Sequence, residues 1–303
     1  MICGPTAAGK SAIAMRLAER VGGVIVSADS RQIYRGFDLG TAKPSADEQA
    51  RVPHFGIDVA EPGERWSAAR WAEAAERWMA VARADGRIPI VVGGTGFYLR
   101  ALAAPLFEEP PLDPERRRAL QAELDVLPTE ELRRWTERLD PARAHLGRAQ
   151  LLRAVEVALL TGRRLSDLHA VRARPSRHRL RYLVVDPGPP LAERIARRVR
   201  AMLDGGWLDE VRALAVRVPA EAPAWQGTGY AELRRHLAGE LALDDAVGRT
   251  IIDTRQYAKR QRTWFRHQLP PADVVRVNPD DPRCDAEVEA WWRAVHAPAE
   301  DLA

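Results

Sequence analysis

Cysteine, lysine and long apolar runs are all scarce in this chain of 303 residues, and each scarcity excludes a class of protein. The two cysteines, Cys3 and Cys284, cannot form a disulfide framework or supply a four-ligand zinc site, which suits a reducing cytosol. No run of 18 apolar residues occurs, so we expect no membrane-spanning helix. The N-terminus lacks the charged and then apolar segments of a secretion signal. We therefore expect a cytoplasmic protein without a membrane anchor.

Only three of the 46 basic residues are lysines, namely Lys10, Lys43 and Lys259, which leaves 46 − 3 = 43 arginines. A lysine retained in such a chain reflects either codon usage and chance or a need for a compact ammonium group, which the planar guanidinium cannot replace. We favour the second interpretation for Lys10, and both interpretations stay open for Lys43 and Lys259.

Positive charge is concentrated in one segment, although the net charge of the whole chain is only +4. Residues 143–181 contain ten arginines against Glu156 and Asp167, so this segment carries 10 − 2 = +8. A charged run is often no more than a solvated face. A segment this basic is also typical of proteins that bind a polyanion, and we favour nucleic acid as its partner.

The first residues contain the pattern G-x-x-x-x-G-K-[ST], which is typical of a loop that binds phosphates. Its glycines allow backbone N–H groups to point at an anion, its lysine supplies a positive charge, and its final hydroxyl can ligate Mg²⁺. The helix expected over 10–20 would direct its positive N-terminus at the same phosphates. The residues of this phosphate loop are Gly4, Pro5, Thr6, Ala7, Ala8, Gly9, Lys10 and Ser11.

Short apolar runs at 23–28, 88–92 and 181–186 predict buried parallel strands, with an edge strand at 273–277. Only Met1–Cys3 precede the phosphate loop, so the first strand is very short or begins upstream. These strands alternate with helical patterns, which predicts an α/β core, a parallel sheet flanked by helices. Residues 35–66 contain several glycines and prolines and are expected to form an ordered loop region.

A second domain is predicted where the composition changes at 105–114, a stretch rich in proline. Helical patterns follow at 114–126, 129–138 and 149–161, before the strand pattern resumes at 181. We therefore expect an all-helical domain, residues 113–178, inserted into a phosphate-loop core formed by 1–112 and 179–303.

Asp29 directly follows the strand at 23–28, and ligands of open α/β sheets gather at the carboxyl ends of strands. Asp29 is therefore expected near the phosphate loop, although a turn cap is an alternative role. The strand at 88–92 ends in Gly-Gly-Thr, where a nucleotide hydrolase would carry a metal-binding aspartate. This set of residues favours transfer of a group from a diphosphate to a nucleic acid. A small-molecule kinase and a non-catalytic RNA-binding module remain alternatives.

Several segments together resemble the tRNA dimethylallyltransferases, also called tRNA isopentenyltransferases, almost from end to end. They are GPTAAGKS at 4–11, SADSRQ at 27–32, YRGFDLGTAKP at 34–44, PHFGID at 53–58, VGGTGFY at 92–98, RAVEV at 153–157 and TRQYAKRQRTWFR at 254–266. The resemblance implies transfer of a dimethylallyl group from dimethylallyl diphosphate to N6 of adenine 37, in tRNAs that read codons starting with U. It also implies that the helical insert grips the anticodon stem-loop.

The resemblance implies roles for individual residues as well. Asp29 would be the general base at the adenine N6, and Thr95 would contact the same reacting centre. The phosphate loop would hold the diphosphate with help from Arg194, Arg198 and Arg255, and Ser11 would ligate Mg²⁺. Segments that touch tRNA in the family match Asp29, Ser30, Arg31, Gln32, Thr95, Arg117, Ala149, Gln150, Leu151, Leu152, Arg153, Lys259 and Arg262. We expect the protein to act as a monomer.

Overall fold

The computed structural model describes residues 1–103, 112–171 and 178–296. The chain forms two compact units, one of Met1–Ala103 with His178–Ala303 and the other of Ala104–Arg177. The predicted helical insert, 113–178, covers most of the second unit. Most of the proline-rich boundary at 105–114, and the three arginines at 172, 174 and 177, lie outside the described residues.

A parallel sheet of six strands forms the centre of the first unit, in the order β3-β2-β4-β1-β5-β6. Its strands are β1 (Ile2–Cys3), β2 (Gly23–Ser27), β3 (His54–Phe55), β4 (Ile88–Gly93), β5 (Tyr182–Val185) and β6 (Val274–Val277). The predicted α/β fold is thereby confirmed, and β6 lies at the edge, as expected.

The two-residue strand β1 is short but central. Ile2 pairs with Val92 of β4 on one side and with Leu183 of β5 on the other, and both residues of β1 are fully buried. Gly4 follows immediately with φ +144°, and a Cβ at this position would lie 2.2 Å from the carbonyl oxygen of Val185. Only glycine fits this close approach. The phosphate loop therefore leaves the sheet from its middle.

Thirteen α-helices are present in the described parts of the chain. They are α1 (Lys10–Val21), α2 (Ala46–Arg51), α3 (Ala68–Ala84), α4 (Gly96–Ala103), α5 (Pro114–Asp125), α6 (Thr129–Leu139), α7 (Arg148–Thr161), α8 (Leu165–Val171), α9 (Leu191–Asp204), α10 (Trp207–Arg217), α11 (Tyr230–Leu237), α12 (Leu243–His267) and α13 (Cys284–His296). None of the helices described here is long and apolar enough to cross a membrane.

Helices cover both faces of the sheet, as a parallel sheet requires. On one face, α1 and α13 pack their apolar side chains against Ile2, Ile25 and Ile90. On the other face, α3, α4 and α12 pack theirs against Cys3, Val26 and Val91. These two layers fix the ends of α1 and α12 beside the carboxyl edge of the strands.

The region 35–66 is more regular than the sequence predicts, since it contains α2 and β3. Helix α2 begins with a capping box in which Ser45 accepts from the N–H of Glu48 and the Glu48 carboxylate accepts from the N–H of Ser45. It has six residues, none of them buried, and β3 has only two residues. Elements this short carry no periodic pattern, and the rest of the region is loop, as the sequence predicts.

The second unit is described over 112–171 and consists of α5, α6, α7 and α8. Leu124, Leu132, Leu151 and Val155 form one buried cluster, and Val157 packs with Leu165 and Leu168 in another. The Asp140 carboxylate joins α6 to α8, because it accepts hydrogen bonds from the amide and the hydroxyl of Ser166. This unit therefore has its own apolar core.

Candidate active site

A cavity of about 710 Å³ lies at the carboxyl ends of β1, β2 and β4. The residues that surround it come from several parts of the first unit: the phosphate loop, the segment after β2, the region 41–54, the turn after β4, and helices α9 and α12. Those used below are Lys10, Ser11, Asp29, Gln32, Lys43, His54, Gly94, Arg194, Arg197, Arg198, Tyr257 and Gln261. The position expected for Asp29, beside the phosphate loop, is thus what the structure has.

The phosphate loop curls through left-handed backbone conformations at Ala7 (φ 61°) and Gly9 (φ 94°). Helix α1 begins directly at Lys10, so the N–H groups of its first turn have no intrahelical acceptor. These groups and the positive end of the helix dipole favour an anion at this place. The Lys10 ammonium donates a hydrogen bond to the carbonyl of Pro5, 2.6 Å away, and lies inside the loop that it would serve.

The pKa of Lys10 is lowered to about 8, chiefly by burial and also by the nearby Arg198, while Asp29 opposes this shift. Burial also lowers the pKa of Arg198, which Asp29 raises. A guanidinium stays charged at neutral pH even after a downward shift. Two cations that repel each other beside one loop indicate a site built for a multiply charged anion, which would relieve that repulsion.

Helix α9 brings Arg194, Arg197 and Arg198 to the cavity together. Arg194 lies against the phosphate loop, with its Nη1 atom 3.5 Å from the position of a Cβ at Gly9, and its other nitrogen pairs with Asp280. The sequence prediction included Arg194 and Arg198 but missed Arg197. Its spacing of three residues from Arg194 was the available signal, since residues three and four apart share a helix face.

Arg255, for which the resemblance implies a diphosphate contact, is bonded to a neighbouring helix. Its guanidinium donates to the carbonyl of Ala192, 3.2 Å away, which ties α12 to α9. Arg255 is absent from the residues that surround the cavity. The periodic spacing of the cations on α12 predicts that they share one face of the helix. It does not reveal which groups that face contacts.

Asp29 combines both of the roles considered for it. Its Oδ1 atom accepts from the N–H of Arg31 at 2.8 Å, as a turn-capping aspartate does. Among the described residues, Oδ1 is the oxygen of this carboxylate that accepts a hydrogen bond, and Asp29 also borders the cavity. The turn fixes the carboxylate in place through Oδ1.

Thr95 acts on the segment after β2 and is not one of the residues that border the cavity. Its hydroxyl accepts from the N–H of Ser30 at 3.1 Å, and its own N–H donates to the carbonyl of Ala28 at 3.2 Å. Burial raises the pKa of Tyr257 to about 12, and a hydrogen bond with Thr95 opposes that rise. Thr95 therefore joins the turn after β4 to the chain on either side of Asp29.

Lys43 is buried, and its ammonium makes three hydrogen bonds: 2.7 Å to the Tyr34 carbonyl, 2.5 Å to the Asp38 carboxylate and 2.6 Å to the Asp58 carboxylate. Three donors that diverge from one nitrogen suit lysine, and a planar guanidinium does not reproduce them. The structure thus favours a structural need for lysine at this position.

Gln32 and Arg31 are held by the protein itself. The Gln32 amide accepts from the Ser27 hydroxyl at 2.9 Å and donates to the Ala42 carbonyl at 3.0 Å, while Arg31 donates to the Pro223 carbonyl at 3.3 Å. His54 bonds through Nδ1 to the Val52 carbonyl, and burial lowers the pKa of its ring. These contacts order the cavity wall next to Asp29 and Ser30.

In the helical unit, the arginines expected at tRNA converge on one buried carboxylate. Arg117 donates to Glu156 at 2.6 Å, and Arg153 pairs with the other oxygen of the same carboxylate. The Leu151 side chain is fully buried in the apolar core of the helical unit. Gln150 accepts from the N–H of Gly147 as part of the helix cap, whereas Ala149 is exposed and Leu152 is half-buried.

On α12, Lys259 is exposed, and nothing around it explains the choice of lysine over arginine. It borders a surface groove of about 520 Å³ together with Arg260 and Trp264. Arg262 binds the Asp186 carboxylate through two nitrogens, at 2.9 and 2.5 Å, and so secures the chain after β5. Of these two residues expected at tRNA, Lys259 is the more available.

The fit of a metal ion rests on Ser11, whose side chain is exposed at the start of α1. No group of three or more acidic, histidine or cysteine side chains that could hold a metal occurs among the described residues. Mg²⁺ keeps most of its waters and is commonly bound by one protein oxygen together with substrate phosphates. The donor set therefore fits Mg²⁺ that arrives with a diphosphate.

Comparison with known proteins connects this geometry to a family. A family model described as IPP transferase matches residues 32–268, and one described as isopentenyl transferase matches residues 1–54. The tRNA dimethylallyltransferase of Anaeromyxobacter dehalogenans is 47% identical over 276 residues, which cover 88% of this chain and 91% of the relative. The protein of the same name from Thermus thermophilus is 42% identical and covers 91% of both chains.

Solved structures agree with the sequence comparisons. The tRNA delta(2)-isopentenylpyrophosphate transferase of Staphylococcus epidermidis superposes with a TM-score of 0.68, at 29% identity over 97% of both chains. A eukaryotic dimethylallyltransferase acting on tRNA superposes with a TM-score of 0.80, at 25% identity over 95% of this chain and 76% of that one. The relatives and solved structures named above are all tRNA transferases by name, and the chain therefore belongs to the IPP transferase family.

Proposed function

We propose that this chain, as a tRNA dimethylallyltransferase, moves the dimethylallyl group of dimethylallyl diphosphate to N6 of adenine 37 in tRNAs that read codons starting with U. The observation that carries the proposal is the shared cavity, which Lys10 and Arg198 border together with Asp29. This shared cavity supports a reaction in which cations stabilise an anionic leaving group while a nearby carboxylate acts as base.

The transfer is one displacement in which atoms and electrons balance. The adenine N6 forms a bond to C1 of the dimethylallyl group, and the bond between C1 and the diphosphate oxygen breaks with its electron pair going to that oxygen. The exocyclic amine loses one proton, which the Asp29 carboxylate accepts as general base. Because the turn bond to Arg31 N–H fixes Oδ1 at 2.8 Å, the carboxylate is oriented before substrate arrives.

The leaving group gains negative charge as the bond breaks. Lys10, the N–H groups at the start of α1, and Arg198 are the groups that would stabilise this charge at the cavity. Mg²⁺ ligated by Ser11 would, when bound, neutralise part of the same charge. The ammonium of Lys10 has a lowered pKa in the free protein, and an anion beside it favours its charged form.

The acceptor base has to leave its stack to reach Asp29, as for other enzymes that act on a base. The helical unit is the part we propose to hold the anticodon stem-loop, with Arg117, Arg153 and the basic segment at 143–181 near the RNA. The Glu156 carboxylate supports this role, because its two ion pairs fix the guanidinium groups of Arg117 on α5 and Arg153 on α7. A cytoplasmic monomer is part of the same proposal.

The proposal is tested by incubating the protein with tRNA, dimethylallyl diphosphate and Mg²⁺, digesting the RNA and identifying nucleosides by mass. The expected product is adenosine with one added dimethylallyl group, located at position 37 by sequencing the RNA fragments. ATP replaces the prenyl donor in a parallel reaction. Absence of the prenylated nucleoside together with consumption of ATP would contradict the proposal and favour a kinase.

A further inference from the structure

The side-chain amide of Gln261 joins the phosphate loop to the turn after β4, and both of these segments border the cavity. Gln261 lies on α12 and is 6% exposed. Its Oε1 atom accepts from the N–H of Thr6 in the phosphate loop at 2.8 Å, and its Nε2 atom donates to the carbonyl of Gly94 at 2.8 Å. A backbone N–H only donates and a carbonyl only accepts, so the orientation of this amide follows from its two partners.

The contact at Gly94 is too close for any side chain there. A Cβ on Gly94 would lie 2.3 Å from the Gln261 amide nitrogen and 3.2 Å from the carbonyl oxygen of Gly4. The turn after β4, the phosphate loop and Gln261 therefore touch directly, through backbone on two sides. The close packing at Gly94 thus holds the Gln261 amide against the turn to which it donates its hydrogen bond.

Each of the two loops carries one half of the proposed chemistry. Thr6 is followed by the residues that hold the leaving diphosphate, up to Lys10 and Ser11. Gly94 is followed by Thr95, whose hydroxyl bonds the N–H of Ser30, next to Asp29. A displacement of one loop relative to the other would change the distance between the leaving group and the base.

We propose that Gln261 is a positioning residue that sets the separation between the diphosphate cradle and the Asp29 side of the cavity. Its two hydrogen bonds fix both backbones at once, which no apolar side chain of similar size can do. Loss of the amide would leave a buried N–H on the phosphate loop and a buried carbonyl on the turn without partners, and both loops would shift to satisfy them.

The test compares Gln261→Met with Gln256→Met, which makes the same change at an exposed position of α12. For each variant, the affinity for inorganic pyrophosphate is measured by titration, kcat and KM for tRNA are measured in prenyl transfer, and melting temperature controls for folding. For Gln261→Met we expect kcat to fall and the pyrophosphate Kd to rise by about tenfold each, with KM for tRNA within about twofold of wild type. Gln256→Met is expected to bind pyrophosphate as wild type does.

The inference rests on the proposed function only for its turnover readout, and the pyrophosphate titration stands without it. If wild type makes no prenylated adenosine while Gln261→Met still loses pyrophosphate affinity, the proposed reaction fails and the positioning role survives. Wild-type kcat and pyrophosphate Kd in Gln261→Met would overturn the role. If that variant does not fold, Gln261→Glu replaces it. Glutamate keeps an acceptor for the Thr6 N–H and loses the donor to Gly94, and the expected changes in kcat, pyrophosphate Kd and KM for tRNA are the same.

Discussion

The hydroxyl of Thr95 accepts a hydrogen bond from the backbone N–H of Ser30 at 3.1 Å, which joins the turn after β4 to the segment that carries Asp29. Thr95 therefore supports the proposed base from a neighbouring strand end, whereas the family resemblance implies direct contact with the reacting centre. The difference matters for mutagenesis, because a supporting hydroxyl can be replaced by another hydroxyl.

We expect Thr95→Val to lower kcat for prenyl transfer by about tenfold, since the Ser30 N–H loses its acceptor and Asp29 loses its fixed position. Thr95→Ser retains the hydroxyl and is the matched control, with kcat expected within about threefold of wild type. Steady-state kinetics with saturating tRNA measures both. Wild-type kcat in Thr95→Val together with a loss in Thr95→Ser would show that the methyl group of Thr95, and not its hydroxyl, is what matters.

The lowered pKa of Lys10 leads us to expect that anion binding depends on pH. Burial lowers its pKa to about 8 from the usual 10.5, so the free protein loses this charge as pH rises through 8. We expect pyrophosphate affinity to fall above pH 8 by up to about tenfold per pH unit. Calorimetric titration between pH 6.5 and 9.5 measures it.

Lys10→Arg is the matched control for that titration, because arginine stays charged throughout this range. An identical decline of affinity in Lys10→Arg would assign the effect to another group.

The contribution of Lys10 to the stability of the fold changes with pH in the opposite direction to its contribution to anion binding. The unfolded chain binds this proton more tightly than the folded one, so the contribution of Lys10 to stability rises between pH 8 and 10.5.

Lys43 predicts that arginine cannot substitute for lysine in the wall beside Asp29. Its three hydrogen bonds, to one carbonyl and two carboxylates, diverge from a single nitrogen. We expect both Lys43→Arg and Lys43→Met to destabilise the protein by about 1–3 kcal/mol, a discounted value because both carboxylates are partly hydrated. Thermal melting measures this, with Lys259→Met as an exposed lysine control. An unchanged melting temperature in Lys43→Arg would contradict the need for an ammonium group.

The sequence was sufficient to predict features that depend on local pattern or on topology. The phosphate loop has a fixed spacing, and the position of Asp29 follows from the strand before it, because parallel strands end at one edge of a sheet. Even the two-residue strand β1 was expected, as the loop requires a strand in front of it.

What the sequence could not predict depends on contacts between distant residues. Gln261 meets Thr6 across 255 positions, and no local pattern marks either partner of such a bond. Arg255 and Arg262 both lie on α12, but helical spacing does not reveal that one bonds the Ala192 carbonyl and the other the Asp186 carboxylate.

The central claim is that Asp29 acts as the base at a cavity whose other side holds the diphosphate. The most direct measurement is prenyl transfer by Asp29→Asn, which keeps the size of the side chain and its bond to Arg31 N–H while removing the base. We expect kcat to fall at least about a hundredfold, while pyrophosphate and tRNA bind as they do to wild type. Turnover of Asp29→Asn at the wild-type rate, with the product confirmed by mass, would contradict the account.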